Sequence, residues 1–197
     1  GAEALTALNE TRMNTQPRFR SGLVFSLQLS ALSFLLFGCN VLPEPQADPV
    51  RYFTLSGPVA AVTSGATVRP VQVAGHLRGR PMAIRVGPNE VIYDENSSWA
   101  EPLDEAITLV LRGRLGTVGA GRSIAVQVQR CELVQFEGNS VQLAATYAIT
   151  GPAGAVQRGT FQSAPRTWDG KDRGALVAQL REAVGELGDA LASAVEK

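Results

Sequence analysis

Histidine is nearly missing from this chain, with His76 alone among 197 residues. A zinc site or a histidine-based catalytic dyad needs a second ligand or partner, so both lose most of their material at once. Cysteine is almost as scarce: Cys39 and Cys131 are the two present. Their contexts differ too much for a bridge to be the natural reading, since Cys39 closes an apolar run and Cys131 sits in a β-rich one. There is no excess of charge of either sign, because 18 basic and 18 acidic side chains cancel. Without a long-range field the chain has little to gather nucleic acid, which is not an expected partner. No Gly-x-x-x-x-Gly-Lys-Ser/Thr loop occurs, so the chain is not an ATPase, and Gly119-Ala120-Gly121 reads as an ordinary turn. Neither a Gly-x-Ser-x-Gly elbow nor a paired-histidine motif is present. The expectation is a protein with no catalytic residues, no metal site and no enzymatic role.

What is present begins with an export layout. Arg18 and Arg20 precede an apolar run from Leu23 to Phe37, and Gly38-Cys39 follows. As a helix that run spans about 22 Å, short of a hydrocarbon core of about 30 Å. Asn40 to Pro49 carries Pro43, Pro45 and Pro49, which suits an extended tether rather than a helix. The divisions expected are a leader over residues 1–38, a lipidated cysteine and proline-rich tether over 39–50, and one domain over 51–197. Within the leader, residues 1–12 precede Met13 and read as an over-extended start, with the signal peptide over 13–38.

In the folded part, Arg51 to Leu55 is a short β-rich run before Ser56-Gly57-Pro58 and a small-residue linker to Gly65. Thr67–Ala74, Met82–Val86 and Val91–Tyr93 read as further strands, the last two joined by a Gly87-Pro88-Asn89 turn. Ser98-Trp99-Ala100-Glu101 fits a capping box, predicting a helix whose apolar side is Trp99, Leu103, Ile107, Val110, Leu111 and Leu115, with a stop at Gly116. Alternation at Ile124, Val126 and Val128, then at Val141 to Ile149, then over Ala155 to Ser163 predicts a three-stranded antiparallel meander. From Asp172, Leu176, Leu180, Val184, Leu187, Leu191 and Val195 mark a second amphipathic helix. The fold class expected is α+β, a mainly antiparallel sheet with two amphipathic helices packed on it in a single domain.

Few side chains invite a functional reading. Tyr93 and Trp99 are the aromatics to suspect of touching a partner, although the place of Trp99 on the apolar stripe favours core packing. Asp94, Glu95, Glu101, Asp104 and Glu105 form an acidic cluster at a helix start, where carboxylates favour the dipole without any cation. His76 is expected in a solvated loop beside Arg78 and Arg80, and Cys131 as an inert small hydrophobe. Two arginines contribute about 1 kcal/mol each at an anionic surface, too little to specify a membrane role.

Leu36-Phe37-Gly38-Cys39 resembles the lipobox of bacterial lipoproteins, in which the thiol receives diacylglycerol, here with Phe37 bulkier than the residue usual at that place. After it come Tyr52-Phe53-Thr54-Leu55, Val86-Gly87-Pro88-Asn89-Glu90-Val91 with Tyr93-Asp94, and Trp99-Ala100-Glu101-Pro102-Leu103-Asp104. In that order they resemble the ABC-type transport auxiliary lipoprotein family of the paraquat-inducible (PqiC-like) type. The resemblance implies lipidation at Cys39, with diacylglycerol and an N-acyl chain as the only attached groups. It implies a non-catalytic auxiliary subunit beside a mammalian-cell-entry (MCE) domain protein and an ABC permease and ATPase that transport lipid and maintain the envelope. Asn40, rather than an aspartate, after the cysteine favours the inner leaflet of the outer membrane, facing the periplasm. Self-association stays open. The alternative is a lipoprotein that scaffolds or regulates another envelope process such as cell-wall synthesis, and a secreted hydrolase is a third.

Overall fold

The computed structural model describes residues 49–57 and 65–196. The expected leader, Cys39 and the tether as far as residue 48 lie outside the described residues. In chain order the elements are β1 (Arg51–Phe53), β2 (Thr67–Val68), β3 (Gln72–Val73), a 3-10 turn (Gly75–Leu77), β4 (Pro81–Gly87), β5 (Glu90–Trp99), α1 (Leu103–Leu115), β6 (Ser123–Val134), β7 (Ser140–Thr150), β8 (Val156–Gln162), β9 (Arg166–Thr167) and α2 (Arg173–Val195).

The long β6–β7 hairpin is the spine of the sheet. Its turn needs left-handed backbone at Gly138 and Asn139, the residue types that adopt it at least cost. The path runs β1-β5-β4-β6-β7-β8, with β2 and β3 on β6 and β9 on β7. The long ladders, β4–β5, β6–β7 and β7–β8, are antiparallel. By contrast β2, β3 and β4 all run parallel to β6, one after another along its length. Sequence alternation predicts one strand over Thr67–Ala74, but two short pieces form instead. Between them Pro70 has no N–H to give a ladder, which interrupts pairing with β6.

Apolar alternation along β6 changes phase partway. Ile124, Val126 and Val128 are buried, and then Cys131 and Leu133. The register slips between Val128 and Arg130, and this bulge swaps which residues of β6 face the helices. Val141, Leu143, Ala145, Tyr147 and Ile149 of β7 keep one phase throughout and oppose both halves. Against this face α1 buries Leu103, Ile107, Leu111 and Leu115, and α2 buries Leu176, Leu180, Val184, Leu187, Leu191 and Val195. The result is an α+β single domain of two helices on one side of a mixed, mostly antiparallel sheet.

The two helices start differently. Asp172 caps α2, its carboxylate accepting from Gly174 N at 2.8 Å. The capping box expected at Ser98 does not form. Ser98 and Trp99 are the last residues of β5, paired with Tyr52 and Phe53 of β1, and α1 begins after Pro102 with no side-chain cap. Tertiary pairing overrides the local signal here: Trp99 N donates to Arg80 O at 2.7 Å and Ala100 N to Phe53 O at 2.8 Å.

Candidate functional site

Glu101, expected to reach back to Ser98, instead clamps the chain after β1. Both its oxygens accept from Ser56 Oγ, at 2.6 and 2.7 Å, and Oε1 also accepts from Ser56 N at 2.9 Å. On the other side of the same loop Arg181 of α2 donates to the carbonyls of Leu55, Thr54 and Ser56 at 2.8, 3.2 and 3.4 Å. Ser56 and Gly57 thereby sit at one end of a groove of about 660 Å³ between the outer sides of α1 and α2. Leu109, Val110 and Gly113 give it an apolar wall, and Arg114, Arg166 and Glu186 rim it. Arg114 donates two bonds of 2.6 Å to Asp189, which hold the Asp189 carboxyl below the usual range. Arg166 binds Glu186, and its Nη1 is buried without a partner.

The opposite side of the sheet carries a charged network that the sequence does not announce. Glu132, placed on this side by the β6 bulge, has a fully buried carboxylate whose Oε1 accepts from Arg85 Nε at 2.5 Å. Its other oxygen lies 3.1 Å from His76 Nε2. His76 is therefore not the solvated histidine expected; the chain between β3 and β4 loops out and turns it back onto Glu132. Tyr93 joins from β5, its hydroxyl donating to the His76 carbonyl at 3.3 Å. Burial of a carboxylate demands such partners, and Arg85 and His76 supply them from two different segments.

Of the two aromatics singled out, the structure separates one from the other. Trp99 is buried beside α1 as core. Tyr93 has about half its surface exposed (48 %), next to the comparably exposed Ile92. The acidic cluster does not assemble: Asp94 pairs with Arg173 at 2.8 Å, Glu101 is held by Ser56, and no metal-binding group of carboxylates, histidine and cysteine occurs among the described residues. Cys131 is buried, and burial, aided by the neighbouring Glu132 charge, pushes its thiol up to about 12. A thiol so placed has almost no thiolate at neutral pH. The surfaces the fold leaves open are a groove between the helices, the exposed Tyr93 ring on β5, and the open side of the sheet around β7, where a second hollow of about 780 Å³ lies.

Comparison with known proteins gives the fold a context. The family model described as the ABC-type transport auxiliary lipoprotein component matches residues 53–192. Among solved structures, an uncharacterized protein is similar at TM-score 0.60 and 16% identity, covering 73% of this chain and 97% of that one. A Xanthomonas campestris protein of the DUF330 family is similar at TM-score 0.57 and 16% identity, covering 74% of this chain and 92% of that one. At such identity these two likenesses speak to the fold alone. No curated protein matches the sequence significantly.

Proposed function

The chain belongs to the ABC-type transport auxiliary lipoprotein component family, and on that ground we propose that it is a lipid-anchored, non-catalytic subunit of an envelope lipid transporter. Cys39 is the attachment point, bearing diacylglycerol and an N-acyl chain, and residues 40–50 are the tether. The anchor lies in the inner leaflet of the outer membrane, with the domain facing the periplasm. Its partners are an MCE-domain protein and, through it, an ABC permease and ATPase that supply the energy this chain has no motif to provide. Moving lipid between membranes in this way maintains the envelope.

The observation that carries this reading is the family match over residues 53–192, nearly all of the described part. The exposed Tyr93 beside Ile92 fits a partner contact, since aromatic rings are enriched among binding hot spots. Two experiments test it. Purification of the tagged chain from membranes in mild detergent should recover the MCE protein and permease; recovery of cell-wall enzymes in their place would transfer the protein to the scaffold reading. Palmitate labelling should mark the parent and be lost in Cys39→Ala, and equal labelling of both would remove the anchor.

A further inference from the structure

The two outer edges of the sheet are built differently. At one, β5 is irregular: its register with β4 jumps between Tyr93 and Ser98, Glu90, Asp94 and Glu95 line it, and β1 covers its end. Bulges, charges and covering segments are the usual means of keeping foreign strands off an edge. At the other, β8 runs for seven residues with no bulge, no proline and no carboxylate. Among the described residues it pairs with β7 alone.

The phase of that pairing says which backbone groups are free. Ser163 N donates to Leu143 O at 2.9 Å and Gly151 N to Ala155 O at 2.8 Å, so odd-numbered residues of this ladder form the hydrogen-bonded pairs. The N–H and C=O groups of Arg158, Thr160 and Gln162 consequently point away from β7, into the space beside the sheet. Their side chains share the side of the sheet away from the helices, where Thr160 opposes Thr146 and Thr146 opposes Gln127. That side holds the 780 Å³ hollow, walled by small and uncharged residues with Arg69 and Arg158 as its charged members. Both are exposed. Arg85, Arg114, Arg166 and Arg173 are each held by a carboxylate, whereas neither Arg69 nor Arg158 has one among the described residues. The free edge is thus bordered by unneutralised positive charge.

We propose that β8 is a docking edge for an extended acidic segment of a partner polypeptide, which adds as a further strand bonded to the backbone of Arg158, Thr160 and Gln162. Strand addition derives its affinity from these main-chain bonds and its selectivity from side chains at alternate positions. Arg158 pairs directly with a carboxylate of the incoming strand, and Arg69, three strands away, adds to the attractive field. A flat lipid surface offers no row of amides and carbonyls to match the edge, which favours a peptide over anionic headgroups. The inference stands on the edge and its charge and does not rest on the transport reading.

The test uses the full chain in detergent, with an alternating Glu-Val peptide as probe and its Lys-Val counterpart as control. The acidic peptide should bind, lose affinity with added salt, and slow hydrogen exchange at the amides of Arg158, Thr160 and Gln162. Arg158→Glu should weaken it by about tenfold or more, and Arg69→Glu by less. Thr160→Pro removes an outward N–H without removing a bond to β7, so it should leave the thermal unfolding midpoint near the parent value and abolish protection. Should Thr160→Pro not fold, Arg158→Glu still decides. Equal binding of the lysine peptide, binding without protection of these amides, or protection by phosphatidylglycerol vesicles instead of peptide would each overturn the proposal.

Discussion

The ring of Tyr147 on β7 lies across Gly159 on β8, so closely that a β-carbon at position 159 would stand 2.3 Å from its Cζ and 2.4 Å from its hydroxyl oxygen. The glycine is there for the ring, which spreads over the strand where any side chain would lift it.

Gly159→Ala should therefore cost about 1–3 kcal/mol, the usual range for overpacking. Tyr147→Phe should not rescue it, because Cζ remains, whereas Tyr147→Val should recover much of the loss. Urea unfolding of the single and double variants measures the coupling, and simple additivity would contradict the crossing described.

Glu132→Ala strands Arg85 in a buried place, and the expected cost is about 3–5 kcal/mol. Replacing Arg85 by Met and Glu132 by Leu together should cost far less, since no buried charge is left alone. A double-mutant cycle read by chemical denaturation gives the comparison.

Cys131 supplies a pH dependence. Its thiol is held up to about 12 in the fold against an ordinary value of 9.0, so above pH 9 the unfolded chain ionises first and unfolding becomes easier. The loss attributable to this thiol should approach about 1.4 kcal/mol per pH unit between pH 9 and 12. Cys131→Ala lacks the contribution, so its stability should fall less steeply over that range. Below pH 9, iodoacetamide should label Cys131 only when the protein is unfolded.

Trp99 and Tyr93 should part company on mutation. Trp99→Ala empties a core position and should cost about 3–5 kcal/mol. Tyr93→Ala, with its ring half in solvent, should stay within about 1 kcal/mol in unfolding while reducing partner recovery from membranes.

Legibility in the sequence followed separation along the chain. The second helix is legible from Asp172 through Val195 because its apolar stripe lies wholly within it, and the meander because its turns join neighbours. The local signal at Ser98 and Glu101 misleads because the residues that claim them, Tyr52 and Ser56, stand some forty-five positions earlier. His76 and Glu132 are 56 apart, and nothing local marks one as the other's partner. The bulge in β6 was visible in principle, since the apolar phase breaks between Val128 and Cys131. Which side of the sheet then receives Glu132 depends on that break, which is why the charged network escaped a reading built on unbroken alternation.

The order in which β2, β3 and β4 lie against β6 bears on how the chain comes together. All three are synthesised before β6, so β2 and β3 have no ladder to join, and the β4–β5 hairpin has no sheet to extend, until residues 123–134 have been made. The local hairpins of β4 with β5 and of β6 with β7 can each close on their own, while β2 and β3 wait for a template that arrives late. Folding should be slow for the size of the domain, and a chain truncated before Ser123 should leave β2 and β3 unpaired and the β6-facing edge of β4 open, and so prone to aggregate.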